Sequence, residues 1–176
     1  AHYTRNGRTR RSGQLDHASL HVLLPDFSPW RKDRAEAFLD TGTLSNLLTI
    51  NIRAAASEMP EERVFNAIYR PYIDGSGDVT DEGLQSFAFR AGSPYGKKQI
   101  FRGLKTGSAA ERQRPPLFIC DIIKHENPNC ESRFNLGTSA QVSYNFKRIH
   151  LAQWEAIDRD VREMIRSFRA AARRQN

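Results

Sequence analysis

From Leu48 onward apolar residues fall on alternate positions. Leu48, Ile50 and Ile52 share one face and Thr49, Asn51 and Arg53 the other, the two-residue period of a half-buried strand. After a connector from Ala54 to Glu62, the β-rich run Val64 to Ile73 reads as another strand, with Pro71 confining it to an edge, a bulge or a strand end. Asp74 to Gly83 is polar and reads as a loop. Gln85 to Arg90, with Phe87 and Phe89 aligned, and Lys98 to Gly103 follow as strands on either side of the turn Gly92-Ser93-Pro94-Tyr95-Gly96. A flexible polar stretch is expected from Lys105 to Arg114. Pro116 to Lys124, Glu131 to Leu136 and Gln141 to Arg148 then give the last strands, the final one with Val142, Tyr144 and Phe146 on one face. Short turns at Asn127-Pro128-Asn129 and Gly137-Thr138-Ser139 force their neighbours to pair antiparallel, so the sheet is expected to be a meander.

Two segments carry helical spacing instead. Trp30 to Leu39 reads as a short helix, with Ser28 as candidate cap and Pro29 at its first position. Leu151 to Ala172 reads as a long one. Its residues Leu151, Trp154, Ile157, Val161, Ile165 and Phe168 recur every three or four positions and make an apolar stripe suited to the open face of the sheet. A second stripe, Arg159, Arg162, Arg166, Arg169 and Arg173, lies roughly 100° away around the helix and is expected to face water. Trp30 and Trp154 are expected to anchor the core. The fold class is therefore α+β, an antiparallel meander with a long C-terminal helix packed on one face and a short N-terminal helix.

Composition adds boundaries. Residues 1–14 are rich in Arg, Thr, Ser and Gly and read as a basic tail, leaving 15–176 as one domain. With 39% apolar and 27% charged residues, the chain is neither collagen-like nor low-complexity, and it contains no apolar run long enough for a spanning helix. The net charge of +7 would suggest nucleic acid if it were spread over the chain. It sits instead at the two ends, on Arg5, Arg8, Arg10 and Arg11 and on the C-terminal arginines, while the body is nearly balanced. A solvated tail and helix face account for that more simply, and no nucleic-acid partner is expected. Arginines on one helix face could alternatively pair phosphates, which keeps open a peripheral binder of anionic membrane or nucleic acid.

Cys120 and Cys130 flank the Asn127-Pro128-Asn129 turn with strand-like sequence on both sides, so a hairpin would bring them together. A disulfide closing that loop would contribute about 3 kcal/mol and imply an oxidising compartment. The alternative is two buried thiols. No Asn-x-Ser/Thr acceptor occurs, so the bacterial periplasm is the expected location. The chain starts at Ala1 rather than Met, as it would after processing or where the sequence was trimmed.

Catalytic motifs are missing: no Gly-x-Ser-x-Gly, His-Glu-x-x-His, Cys-x-x-Cys or Gly-x-Gly-x-x-Gly occurs. Gly92 to Lys98 has too few spacers for a phosphate loop, and Pro94 removes a backbone donor, so a turn is expected there. The loop from Asp74 places oxygens at Asp74, Ser76 and Asp78 as a calcium loop does, but Val79 replaces the required glycine and Gln85 the bidentate carboxylate. Its carboxylates, Asp74, Asp78, Asp81 and Glu82, read either as a solvated connection or as an acidic recognition finger. The five histidines, His2, His17, His21, His125 and His150, are scattered and form no catalytic motif with an acid and a nucleophile, so each reads as structural or surface. No metal, no cofactor and no enzymatic activity are expected.

The C-terminal third adds a resemblance. Cys130 to Phe134, the strand Val142-Ser143-Tyr144-Asn145-Phe146, the run His150 to Asp158 and the closing Ile165-Arg166-Ser167-Phe168 resemble the periplasmic, often lipid-anchored immunity proteins that neutralise lipase effectors of type VI secretion. The resemblance covers about residues 116–170. It implies a non-catalytic inhibitor used in bacterial competition, whose partner is a cognate secreted toxin blocked at its active site or at its approach to membrane. A lipoprotein begins with a cysteine, so an anchor either lies outside these residues or does not exist. Under that reading the contact candidates are Asp74, Asp78, Asp81 and Glu82, with Tyr95 and Lys97 on the next turn, because loops held by a sheet lose little entropy on binding.

Overall fold

The computed structural model describes residues 17–54, 59–104, 115–122, 127–137 and 140–173. The expected basic tail, the stretch from Lys105 to Arg114, and His2 and His125 lie outside them. Among the described residues eight strands form one antiparallel sheet: β1 (His17–Leu23), β2 (Leu47–Ala54), β3 (Asp78–Val79), β4 (Leu84–Ala88), β5 (Lys98–Gly103), β6 (Leu117–Asp121), β7 (Asn129–Leu136) and β8 (Ala140–Lys147). Their spatial order is β1-β2-β8-β7-β6-β5-β4-β3. β4 to β8 are the expected meander, and β3, a two-residue strand within the stretch that reads as a polar loop, extends it at the edge. The hairpin β1-β2, however, docks on β8 and not beside β3, a pairing between distant segments that local spacing does not encode. β1 is a strand beyond those predicted, in which Ala18, Leu20 and Val22 alternate with His17, Ser19 and His21. In register, the His21 ring shares a hydrogen bond with the Thr49 hydroxyl (3.2 Å) and Ser19 donates to Asn51 (2.7 Å).

Register sorts the side chains onto two faces. One face carries Val22, Leu48, Ile50, Val142, Tyr144, Phe146, Phe134 and Phe118, all buried, and receives the long helix α3 (Trp154–Arg173). A 3-10 turn, Arg148–Gln153, leads into that helix, which therefore starts three residues later than its spacing predicts. Leu151, Trp154, Ile157, Val161 and Ile165 are buried as expected, and each fully buried large apolar side chain contributes about 1.5–3 kcal/mol. Phe168, expected on the buried stripe, is 42% exposed, and residues 166–171 around it are exposed as well. Trp154 sits against Gly103, where a Cβ would meet its ring at 3.0 Å, and its indole N–H donates to the Glu82 carbonyl (2.7 Å).

The arginine stripe is not uniformly wet. Arg159, Arg166 and Arg169 are exposed, but Arg162 turns inward, 4.2 Å over the Phe134 ring, and its Nε donates to Asp158 (2.8 Å). A helix this close to a sheet covers more than its apolar stripe, and a guanidinium can be buried where an aromatic face and a carboxylate meet it.

The opposite face corrects the second predicted strand. Residues 61–72 are helical: α2 (Glu61–Val64) continues as π-helical Phe65–Tyr69 and 3-10 Arg70–Tyr72. Glu61, Phe65 and Tyr69 are four apart, and the last two point at Ile73, Phe87, Ile100 and Leu117 to form a second core. β-branched and aromatic content hid that period. Two acids in the first turn also favour the helix dipole. Glu61 reaches Arg162 of α3 (3.6 Å), while Glu62 pairs with Arg102, which lies over Phe65.

The short N-terminal helix is smaller than predicted, a 3-10 turn Lys32–Arg34 followed by α1 (Ala35–Leu39). Ser28 does not cap it: the helical turn begins after Arg31, and the Ser28 hydroxyl donates to Asp26 (2.9 Å) and accepts from the Arg34 guanidinium (3.0 Å). Nor does Trp30 join the core; it is 54% exposed, since the helix buries no residue against the sheet. Cys120 and Cys130 stand directly opposite in the β6-β7 register, are fully buried, and form the disulfide.

Candidate functional site

Antiparallel order brings the loops after β1, β4, β6 and β8 to one end of the sheet. There the turn between β4 and β5 raises Tyr95 into a cluster of rings. Its centroid lies 4.9 Å from Phe89, 5.3 Å from Tyr69 and 5.5 Å from Tyr72, and Tyr69 also meets Phe89 edge-on at 6.2 Å. The turn is held by the Tyr95 N–H on the Ser93 hydroxyl and by Gly92, whose φ of 79° few other residues adopt. Tyr72 is 40% exposed and the other three rings are half-buried, so the cluster presents aromatic surface to solvent from a braced position. Burial pushes the Tyr69 phenol above its usual range, against the opposing charge of Arg133.

Lys97 is exposed beside this cluster, and its carbonyl accepts the Ile122 N–H (2.7 Å), tying the turn to the end of β6. Asp74 lies at the same end. It pairs with Arg90 (2.9 Å), whose N–H bonds the Tyr72 carbonyl. The other predicted acids are elsewhere. Asp78 is in β3 opposite Ser86, and exposed Asp81 and Glu82 lie at the far end of β4, which at about 3.4 Å per residue is roughly 14 Å away. The four carboxylates thus line one edge of the sheet and do not converge on a point. Only Asp74, Tyr95 and Lys97 share a neighbourhood.

Sequence spacing did not find Tyr69 and Tyr72, because the segment carrying them read as a strand; the Glu61, Phe65, Tyr69 interval was the available signal. Among the described residues, no three His, Cys, Asp or Glu side chains are placed to hold a metal. His17 bonds Ser19, and His150 is buried against the Ser45 carbonyl (3.2 Å). No helix of the described residues is long and apolar enough to cross a membrane. The arrangement offers recognition: exposed Tyr and Arg side chains on a rigid sheet are the groups that dominate protein interfaces.

No family model matches the chain, and no curated protein matches it in sequence. Among solved structures, an immunity protein of the Stenotrophomonas maltophilia type IV secretion system superposes with a TM-score of 0.55, covering 89% of this chain and 82% of that one at 15% identity. What the two chains share is the fold.

Proposed function

We propose that this chain is a non-catalytic, periplasmic immunity protein that binds and neutralises a secreted toxin, in its finer form a phospholipase effector of type VI secretion, by blocking the active site or the approach to membrane. The observation that carries the reading is the solvent-facing ring cluster around Tyr95, braced by backbone and side-chain hydrogen bonds and rimmed by Lys97, Arg90 and Asp74. Aromatic anchors fixed in advance lose little entropy on binding. Two further facts support it. A protein of this fold serves as an immunity protein in a type IV system, and the buried disulfide suits an oxidising compartment. The lipase effector comes from the C-terminal sequence resemblance.

The proposed contacts are Tyr95 and Lys97 with Asp74, Asp78, Asp81 and Glu82, the acids serving as charge mimics of an anionic phosphate ester. The test is complex formation between the purified chain and any secreted toxin encoded beside its gene. Tyr95→Ala, and separately the four acids changed to Asn or Gln, are each expected to weaken the complex at least tenfold, about 1.4 kcal/mol. A complex that neither change weakens would exclude this edge of the sheet.

A further inference from the structure

Leu39 and Leu44, 78% and 72% exposed, are the most exposed large apolar side chains among the described residues. Both stand in the β1-β2 connection, at the same end of the sheet as Tyr95, and Ile149, 47% exposed, stands beside them after β8. Their backbone is not slack. Ser45, almost fully buried, donates from its hydroxyl to the Asp40 carbonyl (2.6 Å), and the same hydroxyl accepts the Leu47 N–H (3.2 Å). The Ser45 carbonyl meets the buried His150 ring (3.2 Å). Asn127 closes the frame: its amide donates to the Thr43 carbonyl and its oxygen accepts the Ile149 N–H (3.1 Å). Every one of these bonds fixes the residue next to Leu39, Leu44 or Ile149, or that residue itself. Buried polar groups are thereby committed to holding three apolar side chains out in water.

The charge around them narrows the partner. The connection carries Asp26, Asp33, Glu36 and Asp40 against Arg31, Lys32 and Arg34, a near balance, and Arg31-Asp33 and Arg34-Asp26 are already paired at 3.1 and 3.6 Å. An anionic lipid surface requires an excess of bases, which the β1-β2 connection around Leu39 and Leu44 lacks. An apolar centre inside a rim of mixed, internally compensated charge is the anatomy of a protein interface.

We infer that Leu39, Leu44 and Ile149, braced by Ser45, Asn127 and His150, form the apolar centre of the docking surface, and that it takes an apolar, charge-poor patch of a protein partner. The inference rests on the immunity reading for the partner's identity and adds the surface and its chemistry. It places the centre of the interface on the β1-β2 connection; the Tyr95 turn is at the same end of the sheet, five strand spacings or roughly 24 Å away.

The test compares the full chain with Leu44→Asp and with Leu39→Asp/Leu44→Asp. The probes are the purified product of any secreted-toxin gene beside this one and vesicles of phosphatidylethanolamine and phosphatidylglycerol. Both sites are exposed, so the thermal transition should stay in place, which makes any loss of binding a surface effect. Leu44→Asp should weaken the complex at least tenfold and the double variant further, with no pelleting on vesicles by either form. Unchanged affinity in the double variant, beside a wild-type complex that forms, overturns this surface and leaves the immunity reading standing. Wild-type pelleting on vesicles that Leu44→Asp abolishes assigns the patch to lipid. A concentration-dependent dimer dispersed by Leu44→Asp assigns it to a second copy of the chain. Absence of any wild-type complex with the effector removes both the surface and the reading beneath it.

Discussion

The phenol of Tyr144, fully buried at the middle of β8, donates a 2.7 Å hydrogen bond to the carboxylate of Asp158 on α3, so the centre of the sheet and the packed helix are joined by a polar contact inside an apolar layer. Burial, and then the neighbouring carboxylate, push that phenol well above its ordinary value. An unfolded tyrosine ionises near pH 10, so the stabilisation is complete below that pH and is lost as pH rises toward the folded-state value. Tyr144→Phe is expected to cost about 1–3 kcal/mol at neutral pH, because Asp158 loses a donor. Its deficit relative to wild type should shrink at about pH 11. Urea midpoints at the two pH values check this; a deficit independent of pH would mean that the phenol ionises as freely in the folded protein as in the unfolded chain.

Arg162 is the other partner of Asp158, at 2.8 Å and largely out of solvent. Removing it leaves a buried carboxylate short of its counter-charge and bares the Phe134 ring. Arg162→Ala should therefore cost about 3–5 kcal/mol, while Arg166→Ala, on the exposed part of the same face, should change stability by less than about 0.5 kcal/mol. Lys at 162 should restore only part of the loss, since an ammonium cannot lie flat on the ring. Equal effects at 162 and 166 in denaturant titration would contradict the inward placement.

The two tryptophans make a second contrast. Trp154 touches Gly103 and Phe118 from α3 and is buried, so Trp154→Ala should cost about 3–5 kcal/mol. Trp30→Ala should shift stability by no more than about 0.5 kcal/mol. Both follow from thermal or denaturant midpoints, and a large effect at Trp30 would place that ring in a core the described residues do not show.

Cys120 and Cys130 close a loop with a sequence separation of 10. Unreduced, denatured protein should yield no reactive thiol. The double Ser variant should lose about 2–3 kcal/mol through the restored freedom of the unfolded chain. Two titratable thiols in protein prepared from the periplasm would take away the compartment argument.

Much of the sheet was legible because one face of each strand is buried and the other is polar. Leu48/Ile50/Ile52 and Val142/Tyr144/Phe146 show that alternation, and the turn at Asn127-Pro128-Asn129 was enough to pair the cysteines. What failed was non-local or masked by composition. Nothing in β2 announces that Ile50 will face Tyr144, some ninety residues on in the chain. The segment holding Phe65 and Tyr69 is rich in strand-favouring residues, and its helical period becomes clear only when Glu61 is included. That one misreading removed Tyr69 and Tyr72 from the candidate site, leaving Tyr95 without the rings that give it meaning. The acids from Asp74 to Glu82 are close in sequence, but β4 separates their ends in space.

The central claim, that the chain neutralises a secreted toxin by binding it, is tested most directly by titrating the purified protein into any phospholipase effector encoded beside its gene while following phospholipid hydrolysis. The expected result is loss of hydrolysis as the chain approaches stoichiometric amounts, with a stable complex on gel filtration and recovery of activity when Tyr95→Ala or Leu44→Asp replaces wild type. Undiminished hydrolysis at excess chain, with the two proteins eluting apart, would contradict it.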